Sequence, residues 1–277
     1  MAVMARSEAP ENTGFLAGLL AAFSGGGDER ARNALISTLS VATLIGIWYL
    51  GSLALPSSVL PAPLTVIVAL WENLLKGDIY TDIAITLARI GAAFVIAMGM
   101  ALVLGFSMAL SKTAGTFFQV WIICGITMPA LVVILTLYMV VGLNDTAAVL
   151  GAAAPVIPIL SINIREGVKG IDTRLIGMAR AFRAGKRQQI VQVMAPQVAP
   201  MLLASTRFGI GLIWKMVLFV ELLGRGSGVG YRIEFFYQMF NMTEVLAHAL
   251  SFVFVMLFIE IAVLGTIERR IFRWKRT

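Results

Sequence analysis

The feature that most constrains this chain is a series of apolar runs, each about as long as a membrane crossing. A helix needs ~20 such residues to span the hydrocarbon of a bilayer. Residues 34–53, 90–110, 121–143 and 146–164 contain no Asp, Glu, Lys or Arg. Residues 201–223 carry only Arg207, Lys215 and Glu221, and residues 245–267 only Glu260. Six spans are therefore expected, and the fold class is an all-α polytopic membrane protein. Composition agrees: 59% of the 277 residues are hydrophobic and 13% charged, whereas a soluble domain is about half apolar and a quarter charged. A soluble enzyme is excluded. Cys124 is the single cysteine, so no internal disulfide can form.

Proline and glycine punctuate the runs. Residues 1–33 read as a cytoplasmic N-terminal segment, broken by Ser24-Gly25-Gly26-Gly27. Its apolar patch, 15–23, lacks the basic n-region of a signal peptide. Trp48 and Tyr49 are placed as interfacial anchors for the first span. Residues 55–63 hold three prolines and should not be helical, after which 64–76 reads as a short surface helix. Pro129 should break the third span early, and Pro155 and Pro158 should kink the fourth. The membrane region is bounded at 34–268, followed by a basic cytoplasmic tail, 269–277.

Charge gives the direction. Of the 22 Lys and Arg, sixteen fall in segments on one side: Arg6, Arg30, Arg32, Lys112, seven between 165 and 187, and five after 268. Only Lys76, Arg225 and Arg232 fall on the other. Basic loops stay cytoplasmic, so both termini are expected inside, and the net charge of +7 needs no nucleic acid.

The longest inner loop, 165–200, is not merely a connector. It holds two apolar-faced stretches, 175–182 and 190–194, split at Ala184-Gly185-Lys186 and expected to stop at Pro196. Paired amphipathic helices on an inner face point to docking in a groove of a protein partner; the other reading is a pair lying on lipid headgroups.

Here the sequence resembles a known family. The order Ala179-Arg180, Ala184, Gln188, Val193 and Pro196-x-x-x-Pro200 resembles the EAA signature loop of bacterial ABC importer permeases. Leu60-Pro61-Ala62-Pro63, Thr86-Leu87-Ala88-Arg89, Arg207-x-Gly209, Trp214, Glu221, Gly228-Val229-Gly230-Tyr231 and Glu268-Arg269-Arg270 are similar to its nitrate, sulfonate and taurine branch. The ordered match runs from about residue 34 to 273. Three positions depart from the pattern: Gly177 stands where the motif begins with Glu, Arg183 replaces its glycine, and Ala195 replaces the Leu before the proline. Gly185, two residues on, is a candidate to make the turn instead.

The resemblance implies a permease of the bacterial inner membrane that pairs with a second copy and takes a small anion from a periplasmic or lipid-anchored binding protein. Nitrate, sulfonates, taurine and bicarbonate are the solute types implied. It also implies that Gly177, Met178, Ala179, Arg180, Phe182, Arg183, Ala184, Gly185 and Pro196 form the element that docks on two cytoplasmic ATPase subunits. No Gly-x-x-x-x-Gly-Lys-Ser/Thr occurs, since Gly185-Lys186 is followed by Arg187. Cofactors are thus expected to be none in this chain, with ATP and Mg on the partner, and the chain itself is not expected to be an enzyme.

Charges at membrane depth cost ~3 kcal/mol or more, which makes the fifth span the candidate path. Arg207, Trp214 and Glu221 are spaced by seven and lie within about 40° on one helical face. With Lys215 they are the expected translocation residues, Arg207 or Lys215 favouring an anion. Residues 224–230 read as a flexible outer loop; His248, without ligand-spaced partners, reads as packed. The methionines read as packing filler. A lipid-modifying intramembrane enzyme would need a catalytic cluster at this depth, and a secondary transporter internal repeats; the spans show neither pattern.

Overall fold

Small residues at every fourth position decide how the helices meet. Ala93, Ala97, Ala101 and Gly105 form one stripe along a helix, and all four are buried. Small stripes let backbones approach closely where lipid supplies no hydrophobic drive between helices. The computed structural model describes residues 27–265 and is all-α, with no strand among those residues.

The helices are α1 (Gly27–Ala54), α2 (Pro63–Lys76), α3 (Asp78–Leu110), α4 (Lys112–Thr127), α5 (Ala130–Val141), α6 (Asp145–Ala153) and α7 (Ile157–Lys169). They continue with α8 (Thr173–Ala181), α9 (Lys186–Gly224), α10 (Val229–Gln238) and α11 (Met242–Phe258), the last running into a π-helical turn, Ile259–Leu264. The chain divides after Ile67 into two units. In the first, the Trp48 indole donates to the carbonyl of Pro61 at 3.1 Å and ties the proline segment back to α1. Pro63 occupies the start of α2, where its missing N–H is not needed.

Four segments are long and apolar enough to cross a membrane singly: Arg32–Ala54, Ile79–Leu110, Lys186–Gly224 and Met242–Ala262. Two bent pairs, α4 with α5 and α6 with α7, bring the total up to six where each pair counts as one span. The third span breaks at Pro129 as expected, but by a right angle: α4 and α5 meet at 97°. Proline disfavours the helical region for the residue before it. Met128 (ψ 129°) and Pro129 (ψ 127°) are both extended, so two consecutive residues leave the helix. The fourth span bends by only 42° between Ala153 and Ile157.

In the second unit, the core joins α3, α6, α7 and α9. A Cβ on Gly105 would lie 2.7 Å from Ile164 and 2.9 Å from the Ser161 carbonyl, and one on Gly209 would lie 3.1 Å from Leu160. Opposite the alanine stripe, α3 exposes Val95 and Val103, the face suited to lipid. The Tyr138 hydroxyl donates to the carbonyl of Val220 at 2.7 Å, fastening α5 to α9.

Candidate functional site

The segment between α7 and α9 is one construction with α9. Asp172 caps α8 by accepting from the Arg174 N–H at 2.8 Å. At the other end, the Ala184 N–H bonds to the Ala179 carbonyl (3.0 Å) and the Arg183 N–H to the Arg180 carbonyl (2.9 Å). That paired closure is a Schellman turn, which needs a left-handed residue at the position Arg183 fills. Arg183 adopts φ 55°. It takes the conformation that the family's glycine would take freely, at a cost of about 1 kcal/mol. Gly185 does not supply the turn: it is extended (φ −63°, ψ 158°).

Pro196 does not stop the second stretch. The helix runs unbroken from Lys186 to Gly224 through Pro196 and Pro200. A π-helical turn over Gln189–Met194 precedes the prolines, shifting the bonding register where a proline ring would clash with the carbonyl four residues back. Phe182 (80% exposed) and Met178 (55%) face outward, whereas Ala179 is buried. Ala179 and Pro196 line a groove between α8 and the start of α9, together with Leu175, Gln192 and Val193. Arg180 and Arg183 lie on the surface; so does Gly177, where a Cβ would meet open space.

Of the four expected path residues, Arg207 and Trp214 share one cleft and Lys215 lies beside Trp214. Arg207 donates through Nε and Nη2 to Oε1 of Glu260 at 3.2 and 3.1 Å. Both line a cleft of about 150 Å³ between α9 and the end of α11, with Gly211, Trp214 and Met256. Trp214 packs on Phe252 (5.9 Å between rings), and Lys215, exposed, places Nζ 5.7 Å from the Trp214 ring centre.

Glu221 lies elsewhere. It is 1% exposed and accepts from Arg89 Nη1 (2.7 Å), the Thr86 hydroxyl (2.9 Å to Oε2) and the Gly230 N–H (2.9 Å). Arg89 also donates to the carbonyl (2.7 Å) and hydroxyl (2.9 Å) of Ser227, and pairs with Asp145 at 2.7 Å. Asp82 accepts from the Gly228 N–H (3.1 Å) and Arg232 Nε (2.7 Å); the Val229 N–H donates to Thr86 Oγ1 (2.9 Å). Arg225 joins Asp145 at 3.0 Å. Three carboxylates thus face three guanidiniums. The expected flexible loop at 224–230 is pinned by this network and leads into α10. Gly228 (φ 103°) and Gly230 sit directly over Glu221; a Cβ on Gly230 would lie 2.6 Å from that of Glu221.

Sequence reasoning missed this lock. Its signal was present: Asp82, Thr86 and Arg89 stand at i, i+4 and i+7, a polar stripe on one helical face. His248 is packed as expected, its ring 5.1 Å from that of Phe236.

With this geometry in view, the comparisons with known proteins are decisive. Residues 98–274 match the family described as binding-protein-dependent transport system inner membrane component. The chain belongs to this family. It is similar to the aliphatic sulfonates transport permease protein SsuC of Bacillus subtilis, 27% identical over 85% of this chain and 86% of that protein. The taurine transport system permease protein TauC of Escherichia coli is 23% identical, over 88% and 91% respectively. In fold it resembles a chain of the MetNI methionine ABC transporter solved in inward-facing conformations, at a TM-score of 0.53 and 18% identity, covering 76% of this chain and 98% of that one. This permease is a transport component of the ABC importer type, with membrane-spanning helices to match.

Proposed function

We propose that this permease forms the path for a small anion and couples it to a separate ATPase through residues 172–185. The observation that supports coupling is the outward face of α8. Met178 and Phe182 are exposed beside Arg174, Arg180 and Arg183, an apolar knob ringed by groups that bond carboxylates well. The turn behind it feeds directly into α9, which carries Arg207, Trp214 and Lys215.

On this reading the α8 end faces the cytoplasm, as does each end of the chain, following the sixteen-to-three charge balance. A periplasmic or lipid-anchored binding protein delivers solute at the opposite end. Two copies of the chain pair in the membrane, and two ATPase subunits hold ATP and Mg. The names of the relatives favour a sulfonate-bearing solute, with nitrate and bicarbonate in the same anionic class. Arg207, Trp214 and Lys215 line the path, and Glu221 steadies it through Arg89.

The test substitutes Phe182→Glu. Ala179 is unsuitable because a charge there would be forced into the groove inside the segment. Phe182→Glu should insert normally, yet lose ATPase co-purification or solute-stimulated hydrolysis by at least tenfold. If co-purification and hydrolysis both equal the parent's, residues 172–185 are not the coupling element.

A further inference from the structure

One cation of α9 stands on an otherwise apolar, uncovered face. Ala204, Phe208, Lys215, Phe219 and Leu223 are all exposed, Phe208 and Phe219 at 47%. Their spacings of four, seven, four and four put them in a single stripe along the helix. On the other side of α9, Gly209, Ile213, Val217 and Val220 are buried in the core. This chain therefore covers one side of the helix and leaves the Lys215 side bare.

A lysine at this position is poorly suited to lipid. It lies eight residues from Leu223 and fourteen from Met201, the ends of the apolar run, or ~12 and ~21 Å at 1.5 Å per residue. The Cα–Cβ bond tilts toward the helix N-terminus, so the side chain sets out away from the nearer end. A four-carbon stem does not span the longer distance. Charges at such depth face protein, another charge or a water-filled cavity. Among the described residues, Nζ of Lys215 lies 5.7 Å from the Trp214 ring centre, and no carboxylate pairs with it. Trp214 packs on Phe252, which holds the ring in place for the ammonium. One turn toward α8, Gly211 leaves a gap, since a Cβ there would meet nothing within 4 Å.

We infer that this stripe faces the same stripe of a second copy, and that the two Lys215 ammoniums form one anion site shared between the copies. A single chain holds half of it. Two ammoniums brought together away from water repel, and a small anion between them replaces that repulsion with attraction on both sides. The Gly211 gaps give the anion room. Phe208 and Phe219 wall the site toward either end and keep out water that would weaken the attraction. An ammonium binds an oxyanion as a point charge rather than a planar fork, so the site suits nitrate and a sulfonate alike. The inference rests on the anion-path reading above and adds which side chain holds the anion and that two copies are needed to hold it.

The experiment titrates the full-length chain in nanodiscs with sodium nitrate and sodium ethanesulfonate against sodium gluconate at constant ionic strength. Binding is read from Trp214 emission after Trp48, Trp71, Trp121 and Trp274 are replaced by Phe. Lys215→Gln should weaken the binding of at least one probe tenfold or more, and Lys215→Arg, which keeps the charge, should retain most of the affinity. Dialysis against radiolabelled ethanesulfonate should saturate at one anion per two chains. Crosslinking reads the geometry: in a Cys124→Ser chain, Phe208→Cys should join two copies through a short bismaleimide, and Val95→Cys, on the exposed face of α3, should not. Unchanged affinity in Lys215→Gln, one anion per single chain, or crosslinking of Phe208→Cys no greater than that of Val95→Cys overturns the inference. So does a parent that binds neither probe. If Lys215→Gln binds as the parent does while the assembled importer still takes up an anion, the shared site falls and the importer reading stands. If the parent importer moves no anion at all, both fall.

Discussion

Replacing Glu221 by Gln isolates a buried carboxylate on which several donors converge. Three donors converge on its two oxygens: Arg89 Nη1, the Gly230 N–H and the Thr86 hydroxyl. A carboxamide offers one oxygen, so at least one buried donor would face an NH₂ group instead. An unsatisfied buried donor costs about 1–3 kcal/mol, and the lost charge-assisted bond to Arg89 about 1.5–3 kcal/mol more. The cluster would also pass from charge balance to one excess positive charge. Breaking a buried pair from one side costs about 3–5 kcal/mol by direct comparison, so about 4 kcal/mol is expected. At about 2–4 °C per kcal/mol for a chain of this size, Glu221→Gln should melt about 8–16 °C below the parent in nanodiscs, followed by intrinsic tryptophan emission. Arg89→Met combined with Glu221→Met should cost less than the two single changes summed, because neither charge is then left buried alone. A Glu221→Gln melting shift under about 3 °C, or strict additivity of the Met pair, would refute the lock.

Other positions give independent checks. Arg183→Gly should relieve the left-handed strain at φ 55° and, after glycine's own entropy cost, stabilise the α8 turn by up to about 1 kcal/mol; slower hydrogen exchange at the Arg183 and Ala184 amides would report it. Gly230→Ala should push a methyl to 2.6 Å from the Glu221 Cβ and 2.7 Å from the Leu218 carbonyl, lowering stability by about 1–3 kcal/mol and raising exchange at 229–230. Tyr138→Phe should remove the hydroxyl's bond to the Val220 carbonyl, cost about 1 kcal/mol and shift melting by a few degrees without altering solute affinity.

Much of this architecture was legible because membrane crossings announce themselves locally. The six apolar runs, the break at Pro129 and the bend between Ala153 and Ile157 depend on residues close in sequence. What escaped depends on distant partners. Asp82, Thr86 and Arg89 precede the apolar run at 90–110, and what they do is set by distant partners: Arg89 meets Asp145 and Glu221, 56 and 132 positions away. Glu221 shares a helical face with Arg207 and Trp214, but a common face fixes only direction. Along α9 the neighbours change: the π turn after α11 beside Arg207, the close of α10's entry loop over Glu221. Pro196 read as a stop because a π turn, which alters the bonding register rather than the residue pattern, leaves no mark in hydropathy.

The unbroken run of α9 has a mechanical consequence. From Glu221 to Lys186 is thirty-five residues, an arm of ~53 Å at 1.5 Å per residue, held at one end by the lock and reaching the α8 turn at the other. With Glu221 as fulcrum, Arg207 sits ~21 Å along the arm. A sideways push of ~5 Å at Lys186 would tilt the arm by about 5° and carry Arg207 about 2 Å, by the same helical rise. That is comparable with the distance over which a 3.1 Å contact to Glu260 is made or lost. The geometry scales a large stroke at one face of the membrane down to a displacement of bond-breaking size within it.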